Sequence, residues 1–324
     1  MCRTGADLRS LPSIESLQPK RNRNVSENRK QAVGLIGLGI MGSAMSKNLL
    51  EAGFPVRGYD ISPAALASFA AAGGEPARSV AEAAAGADVL ITSLPSTKAL
   101  HDVVRELKDA PRTERILAET STFPLEDKSA AQEALRDAGI VMLDCPLSGS
   151  GSQALVRDVL VYASGPREAY ERCLPVFQGF SRAPHYVGPF GHGSKMKYVA
   201  NLLVAIHTVA AGEAFALARK AGLDPAQMFE VVVDGAGGSS AMRTRGPMLI
   251  ADRYLPIRTM PLELWRKDLR IIGEFANALS CPTPLFSAAV PLFNAAVASG
   301  YGDQDTAAVC AVLETMAGLA RPRG

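Results

Sequence analysis

The sequence predicts an α/β domain built on a doubly wound, largely parallel sheet, followed by an all-helical domain. Three observations carry this expectation. Short apolar runs alternate with helical stretches over the first half of the chain, the pattern of strand–helix–strand crossovers. The first of these runs ends in a glycine-rich turn that opens a helix. After Gly193 the strand signals nearly vanish. The expected division is a polar tail over 1–31, the α/β domain over 32–190 and the helical domain over 191–324.

Residues 1–31 are polar, mixed in charge and without periodicity, so no fixed structure is expected there. Asp7, Glu15 and Glu27 argue against a mitochondrial transit peptide, which avoids acids. The run 32–36 reads as the first strand, 55–60 as the second and 87–92 as the next, with helical patterns through Glu51 and over 63–72 between them. A helix through His101 to Val104, a strand over 115–119, a helix over 125–138 and a strand over 140–144 continue the alternation, and 158–163 is a further strand-like run. Lys195 to Ala221 is one long helical pattern, ended by Gly222 and restarted by Asp224-Pro225, an N-cap with proline at the first helical position. Helices broken by Gly235 to Gly238, Pro256, Pro282 and Gly300 fill the remainder.

The chain of 324 residues is 48% apolar and 20% charged, enough to bury a core in each of two domains without disulfide or metal staples. Its net charge of +2 resides in the tail: residues 1–31 hold seven Lys/Arg against three Asp/Glu, leaving 27 against 29 elsewhere. A nucleic-acid-binding face would place its excess positive charge on the folded body, so none is expected. Five widely spaced cysteines with no C-x-x-C pair suit a reduced, cytoplasmic protein. Four histidines with no paired spacing give no support to a metal site. The apolar stretch Val199–Ala211 is interrupted by Asn201 and His207 and reads as a buried helix rather than a membrane span.

Gly37-Leu38-Gly39-Ile40-Met41-Gly42 is a G-x-G-x-x-G between a predicted strand and a predicted helix. The first glycine makes the tight turn, the second lets backbone approach a pyrophosphate, and the third lets helix and strand pack closely. The spacing alone is weak evidence, but Asp60 ends the next strand where a ribose-binding acid belongs. The domain therefore reads as a Rossmann fold that binds a dinucleotide. A carboxylate at Asp60 accepts hydrogen bonds from ribose hydroxyls and repels a 2′-phosphate, so NAD is expected, with NADP kept open by nearby Arg57.

Lys197 and Asn201 stand at i and i+4 on the long helix where it leaves the domain junction, so both project from one face, while Lys195 is turned away. A lysine buried in such a cleft has its ammonium pKa lowered and can pass a proton to and from a carbonyl oxygen. Lys197 is read as the general acid/base and Asn201 as its orienting partner. The alternative for such a pair is a solvated helix face.

The run Leu35 to Leu49, Leu-Ile-Gly-Leu-Gly-Ile-Met-Gly-Ser-Ala-Met-Ser-Lys-Asn-Leu, resembles the signature of the β-hydroxyacid dehydrogenases, among them the 3-hydroxyisobutyrate dehydrogenases and 2-hydroxy-3-oxopropionate reductases. Further segments follow in order. Leu94-Pro95 resembles the pair that borders the cofactor, and Glu119-Thr120-Ser121-Thr122 resembles D-x-S-T, which implies a place for Thr122 beside ribose and nicotinamide. Asp144-Cys145-Pro146-Leu147-Ser148-Gly149 is similar to the substrate motif D-A-P-V-S-G-G, which implies that Ser148, Gly149 and the following Ser150 hold a substrate carboxylate. Gly191 to Asn201 resembles G-x-G-x-x-x-K-x-x-x-N, and Lys267-Asp268-Leu269 resembles K-D-L, which brings Lys267 to cofactor or substrate. Ser150 in place of a second glycine, and Arg270 after the K-D-L, depart from the pattern.

The resemblance implies an oxidoreductase that transfers a hydride between a nicotinamide and a small 3-hydroxy acid or its semialdehyde. Two other functions use this architecture: imine reduction, which usually replaces the lysine, and non-catalytic dinucleotide binding. Lys197 speaks against both. A homodimer or homotetramer joined through the helical domain is expected, from an apolar surface including Phe215, Met228, Phe229, Val231, Val232 and Trp265.

Overall fold

The computed structural model describes residues 30–109, 115–256 and 259–319, and the expectation for the tail lies outside them apart from its last two residues. The chain runs β1 (Val33–Ile36), α1 (Ile40–Glu51), β2 (Val56–Tyr59), α2 (Pro63–Ala71), β3 (Glu75–Pro76), α3 (Val80–Ala84), β4 (Val89–Thr92), α4 (Thr97–Asp109), β5 (Arg115–Glu119), α5 (Leu125–Arg136) and β6 (Ile140–Asp144). These strands form one sheet in the order β3-β2-β1-β4-β5-β6, every neighbouring pair parallel. All residues of β1, β4 and β5 are buried, as strands covered on both faces must be. Successive side chains point to opposite faces: Leu35 packs with Met45, Leu49 and Phe177 on one side, and Ile36 with Leu90, Leu117 and Phe123 on the other. The strand order reverses between β1 and β4, and the crevice at the carboxyl ends there is where this fold takes ligands.

The run 158–163 does not extend this sheet. β7 (Leu147–Ser148), α6 (Gly151–Leu155), β8 (Leu160–Ala163), α7 (Arg167–Phe180) and β9 (Ala183–Tyr186) follow, and β8 pairs antiparallel with β7 and parallel with β9 in a second sheet. A parallel neighbour for β6 needs a crossover segment, and only Cys145-Pro146 separates β6 from β7, so the chain leaves the sheet edge instead.

α8 (His192–Lys220) is followed by α9 (Pro225–Val232), α10 (Ser240–Ala251), α11 (Leu262–Ala278), α12 (Pro284–Ala296) and α13 (Val309–Met316). α8 begins three residues before the expected start, because Gly191 adopts a left-handed φ of +88° that turns the chain directly into the helix. Asp224 caps α9, its Oδ1 accepting from Gln227 N at 2.7 Å, with Pro225 at the first position as read from the sequence. By length and composition α8 is long and apolar enough to cross a membrane; here α10, α11, α12 and α13 pack around it. Phe215 and Trp265, expected on an apolar surface, lie inside this helical core, Trp265 edge-on to Phe293 at 6.3 Å. Each belongs to the buried stripe of its amphipathic helix, and the sequence pattern does not say whether such a stripe meets its own domain or another chain.

Candidate active site

The glycine turn lies at the carboxyl end of β1. Gly37 has φ +93°, and a Cβ there would fall on the carbonyl oxygen of Ser93. A Cβ at Gly42 would fall on the carbonyl oxygen of Gly37, so the helix can approach the turn only without one. Gly39 differs: its Cβ direction is empty within 4 Å. The backbone is thus stripped of side chain where a pyrophosphate would approach the N-terminus of α1, and the turn fits a dinucleotide. Asp60 is tied to the same turn, its Oδ2 accepting from Leu38 N at 2.7 Å and its Oδ1 from Ser62 N at 2.8 Å. Arg57 is engaged elsewhere, at 2.6 Å from Glu75 and with the carbonyls of Glu82 and Ala85. Ile40 and Met41 open α1, and a Cβ on Gly151 would stand 2.5 Å from Ile40 Cγ2, which sets the Ser148–Ser150 turn beside the glycine turn.

The loop after β5 brings together four expected residues, Leu94, Pro95, Thr122 and Lys267. Leu94 N donates to Ser121 Oγ at 2.8 Å, which draws Leu94-Pro95 to the segment containing Thr122. Lys267 reaches in from α11, donating to the carbonyl of Thr122 at 2.7 Å and lying 5.1 Å from the centroid of the Phe123 ring. Ser148 pairs with Leu160 across β7 and β8, strands against which α8 packs. Ser150 caps α6, its Oγ accepting from Gln153 N while Gln153 Oε1 accepts from Ser150 N at 3.0 Å. That capping box is the physical reason for a serine where the motif has glycine.

Lys197 projects from α8 into the junction, partly covered, while Lys195 is exposed. Desolvation lowers the Lys197 pKa to about 8, with Lys267 adding repulsion and Asp268 opposing both. Asn201 is buried and donates through Nδ2 to Asp268 Oδ2 at 2.9 Å, and Asp268 Oδ1 lies 3.4 Å from Lys267 Nζ. Burial raises the Asp268 pKa against the pull of both lysines and the Asn201 hydrogen bond. Asn201, Asp268 and Lys267 are linked by contacts, Lys197 couples to Asp268 and Lys267 electrostatically, and Lys267 ties the group to the loop after β5 at Thr122. A lysine that can be protonated or neutral near neutral pH, within the electrostatic reach of a buried carboxylate, can give a proton to a carbonyl oxygen or take one from a hydroxyl.

Sequence reasoning quoted Asp268 within the K-D-L without giving it a place in the site, because a Lys-Asp pair on a helix is ordinarily solvated. It also passed over Lys128, which is wholly buried between Glu119 and Asp144. Lys128 lies on the buried stripe of α5 with Ala131 and Leu135, and that spacing is the signal that could have found it. Among the described residues no group of three or more His, Cys, Asp or Glu could hold a metal ion.

Comparison with known proteins places this geometry. Residues 32–188 match the family model described as the NAD binding domain of 6-phosphogluconate dehydrogenase, and residues 191–313 that described as NAD-binding of NADP-dependent 3-hydroxyisobutyrate dehydrogenase. The chain is 33% identical over 281 residues to an L-threonate dehydrogenase of Cupriavidus necator, covering 86% of this chain and 94% of that protein. It is 30% identical over 287 residues to an NAD-dependent L-serine dehydrogenase of Pseudomonas aeruginosa, covering 86% and 96%. A crystal structure of 3-hydroxyisobutyrate dehydrogenase from Salmonella typhimurium superposes with a TM-score of 0.79 at 31% identity, covering 87% of this chain and all of that one. With likeness of this extent over both the sheet and the helices, the chain belongs to the β-hydroxyacid dehydrogenase family and is an NAD(P)-dependent hydroxyacid dehydrogenase.

Proposed function

We propose that the protein interconverts a small 3-hydroxy acid and its semialdehyde, with NAD preferred over NADP, and that Lys197 moves the proton. The observation that carries this reading is the Lys197 ammonium, desolvated to a pKa of about 8 beside Asn201 and Asp268. When bound, the nicotinamide takes or supplies the hydride. The turn from Gly37 to Gly42, open at Gly39, would hold the pyrophosphate, and Asp60 the adenine ribose. Leu94, Pro95, Thr122 and Lys267 would line the nicotinamide half. In oxidation, neutral Lys197 accepts the hydroxyl proton as the C–H bond gives up its hydride and the C=O bond forms; in reduction, the ammonium returns that proton to the oxygen. Asn201 donates through Nδ2 to Asp268, and its amide oxygen, an acceptor one helical turn from Lys197, would orient the ammonium. Ser148 and the amides of Gly149 and Ser150 would take the substrate carboxylate.

The test is a screen of L-serine, L-threonate and 3-hydroxyisobutyrate, the compounds in the names of the relatives, with NAD and with NADP. Turnover of L-serine or 3-hydroxyisobutyrate, whose primary hydroxyl gives a semialdehyde, with a higher kcat/KM for NAD, is expected, and turnover of neither would reject the reading. Asp60→Ala should erase the preference for NAD, because the carboxylate that repels a 2′-phosphate is gone while Arg57 stays committed to Glu75. An unchanged preference would reject the ribose assignment.

A homodimer or homotetramer built through the helical domain belongs to the same reading. Its support has moved from Phe215 and Trp265 to Met196, Val199 and Leu203, spaced i, i+3 and i+7 along α8 and 44%, 56% and 46% exposed. A run of apolar side chains left open on a long helix favours a covering partner. Light scattering at micromolar protein should give at least twice the 34.1 kDa chain mass, and a monomer mass would count against it. A cytoplasmic location accords with reduced cysteines at 145, 173, 281 and 310.

A further inference from the structure

Lys128 stands outside the proton-transfer group, yet it is the point at which that group's supports meet. Its Nζ is 2.6 Å from Glu119 Oε2 at the end of β5 and 2.8 Å from Asp144 Oδ1 at the end of β6, with all three side chains buried. Each carboxylate carries on to a different part of the site. Glu119 Oε1 accepts from Ser121 N at 2.8 Å, which fixes the loop bearing Thr122. Asp144 accepts from Ser194 N at 2.7 Å and from Ser194 Oγ at 2.8 Å, in the first turn of α8 and three residues before Lys197. Ser164 Oγ, which donates to the Asp144 carbonyl at 3.1 Å, accepts from Gly193 N at 2.9 Å. A Cβ at Gly193 would stand 2.6 Å from that same carbonyl, so the helix begins in direct contact with the strand end. Next to Lys197, Tyr198 donates to the carbonyl of Phe123 at 2.5 Å, a second tie to the same loop.

We infer that Lys128, through Glu119 and Asp144, is a positioning residue that locks the Thr122 loop and the first turn of α8 together and so sets where Lys197 stands in the cleft. A buried network of this kind is rigid only while every member is satisfied. Burial works against the Lys128 ammonium, but the two carboxylates outweigh it and hold its pKa above the usual lysine range. Asp144 also meets the positive end of α8 through Ser194 N, which places an anion where a helix favours one. This inference rests on the reading of Lys197 as the proton carrier.

Lys128→Met would leave two buried carboxylates without their cation and is expected to fold poorly. Ser194→Ala is the informative variant, since it removes one hydrogen bond to Asp144 and keeps the Ser194 backbone amide. Two quantities are read: the pH dependence of acylation of the Lys197 amine in the protein without cofactor, followed by peptide mass mapping, and turnover with the best substrate of the screen. Lys197, faced by Asp268 and Lys267, should titrate near 8 in the wild type. In Ser194→Ala that midpoint should rise by about one pH unit as the lysine slips toward water, and kcat should fall on the order of tenfold while the Kd for NADH stays within about twofold. An unmoved midpoint overturns the inference, whether or not turnover falls, because a merely structural serine would alter stability without moving the titration of Lys197. Wild-type turnover overturns it as well. Wild-type turnover in Lys197→Ala would instead reject the proton-carrier reading, and the midpoint in Ser194→Ala would still report on the lock.

Discussion

Lys197→Ala is expected to lower kcat by at least about 10²-fold, the loss typical of a missing general acid, while leaving the Kd for NADH almost unchanged. The two effects separate because the pyrophosphate would lie on the glycine turn of the sheet domain, whereas Lys197 lies on α8. Lys197→Arg should recover little, since a guanidinium stays protonated and cannot accept the hydroxyl proton. Asn201→Ala should lose less than Lys197→Ala, because the lysine itself remains. Lys195→Ala, two positions away and exposed, should be silent. The pH profile fixes the sign. Oxidation needs the neutral amine, so its rate should rise with pH and level off above about 8; reduction needs the ammonium and should fall through the same value. Opposite limbs for the two directions, both absent from Lys197→Ala, identify the lysine. Wild-type kcat in Lys197→Ala, measured with saturating cofactor, would reject the assignment.

The second large effect is expected at the glycine turn, where two substitutions of the same size should act on different properties. Gly42→Ala places a methyl group on the carbonyl oxygen of Gly37, and backbone cannot move aside as a flexible side chain can. The turn must open, at a cost of about 3 kcal/mol in overpacking, so thermal melting should show a lower Tm and cofactor binding should weaken with it. Gly39 has an ordinary φ of −66° and open space where its Cβ would go. Gly39→Ala should therefore leave Tm unchanged. The methyl group occupies the approach of the pyrophosphate, and the Kd for NADH should rise on the order of tenfold or more, equivalent to about 1.4 kcal/mol. A Gly39→Ala protein that binds NADH as the wild type does would show that the dinucleotide does not lie over this turn.

Most of the scaffold and half of the site could be read before folding. The buried strands β1, β4 and β5 are continuous apolar runs, the glycine turn is a local steric requirement, and Lys197 and Asn201 share a face because of the helical repeat. Each of these is written within a few consecutive residues. The second sheet was not legible, because β7 is two residues long and β9 begins Ala-Pro, too little for a periodic signal. The remaining half of the site depends on contacts across long stretches of chain. Lys267 meets Thr122 from 145 residues away, and Asn201 meets Asp268 from 67. The Lys267-Asp268 pair reads as a solvated face, and Lys128 carries no motif that marks it, because charged side chains on helices are usually exposed. What the sequence by itself determined is therefore the fold class, the glycine turn and the shared helix face of Lys197 and Asn201 on which the proposed proton transfer rests. Only the tertiary structure decided which charges are buried, and with them the lowered pKa of Lys197 and the lock at Lys128. The physical reason is that desolvation and charge pairing are properties of the space around a side chain, and that space is lined by residues remote in sequence.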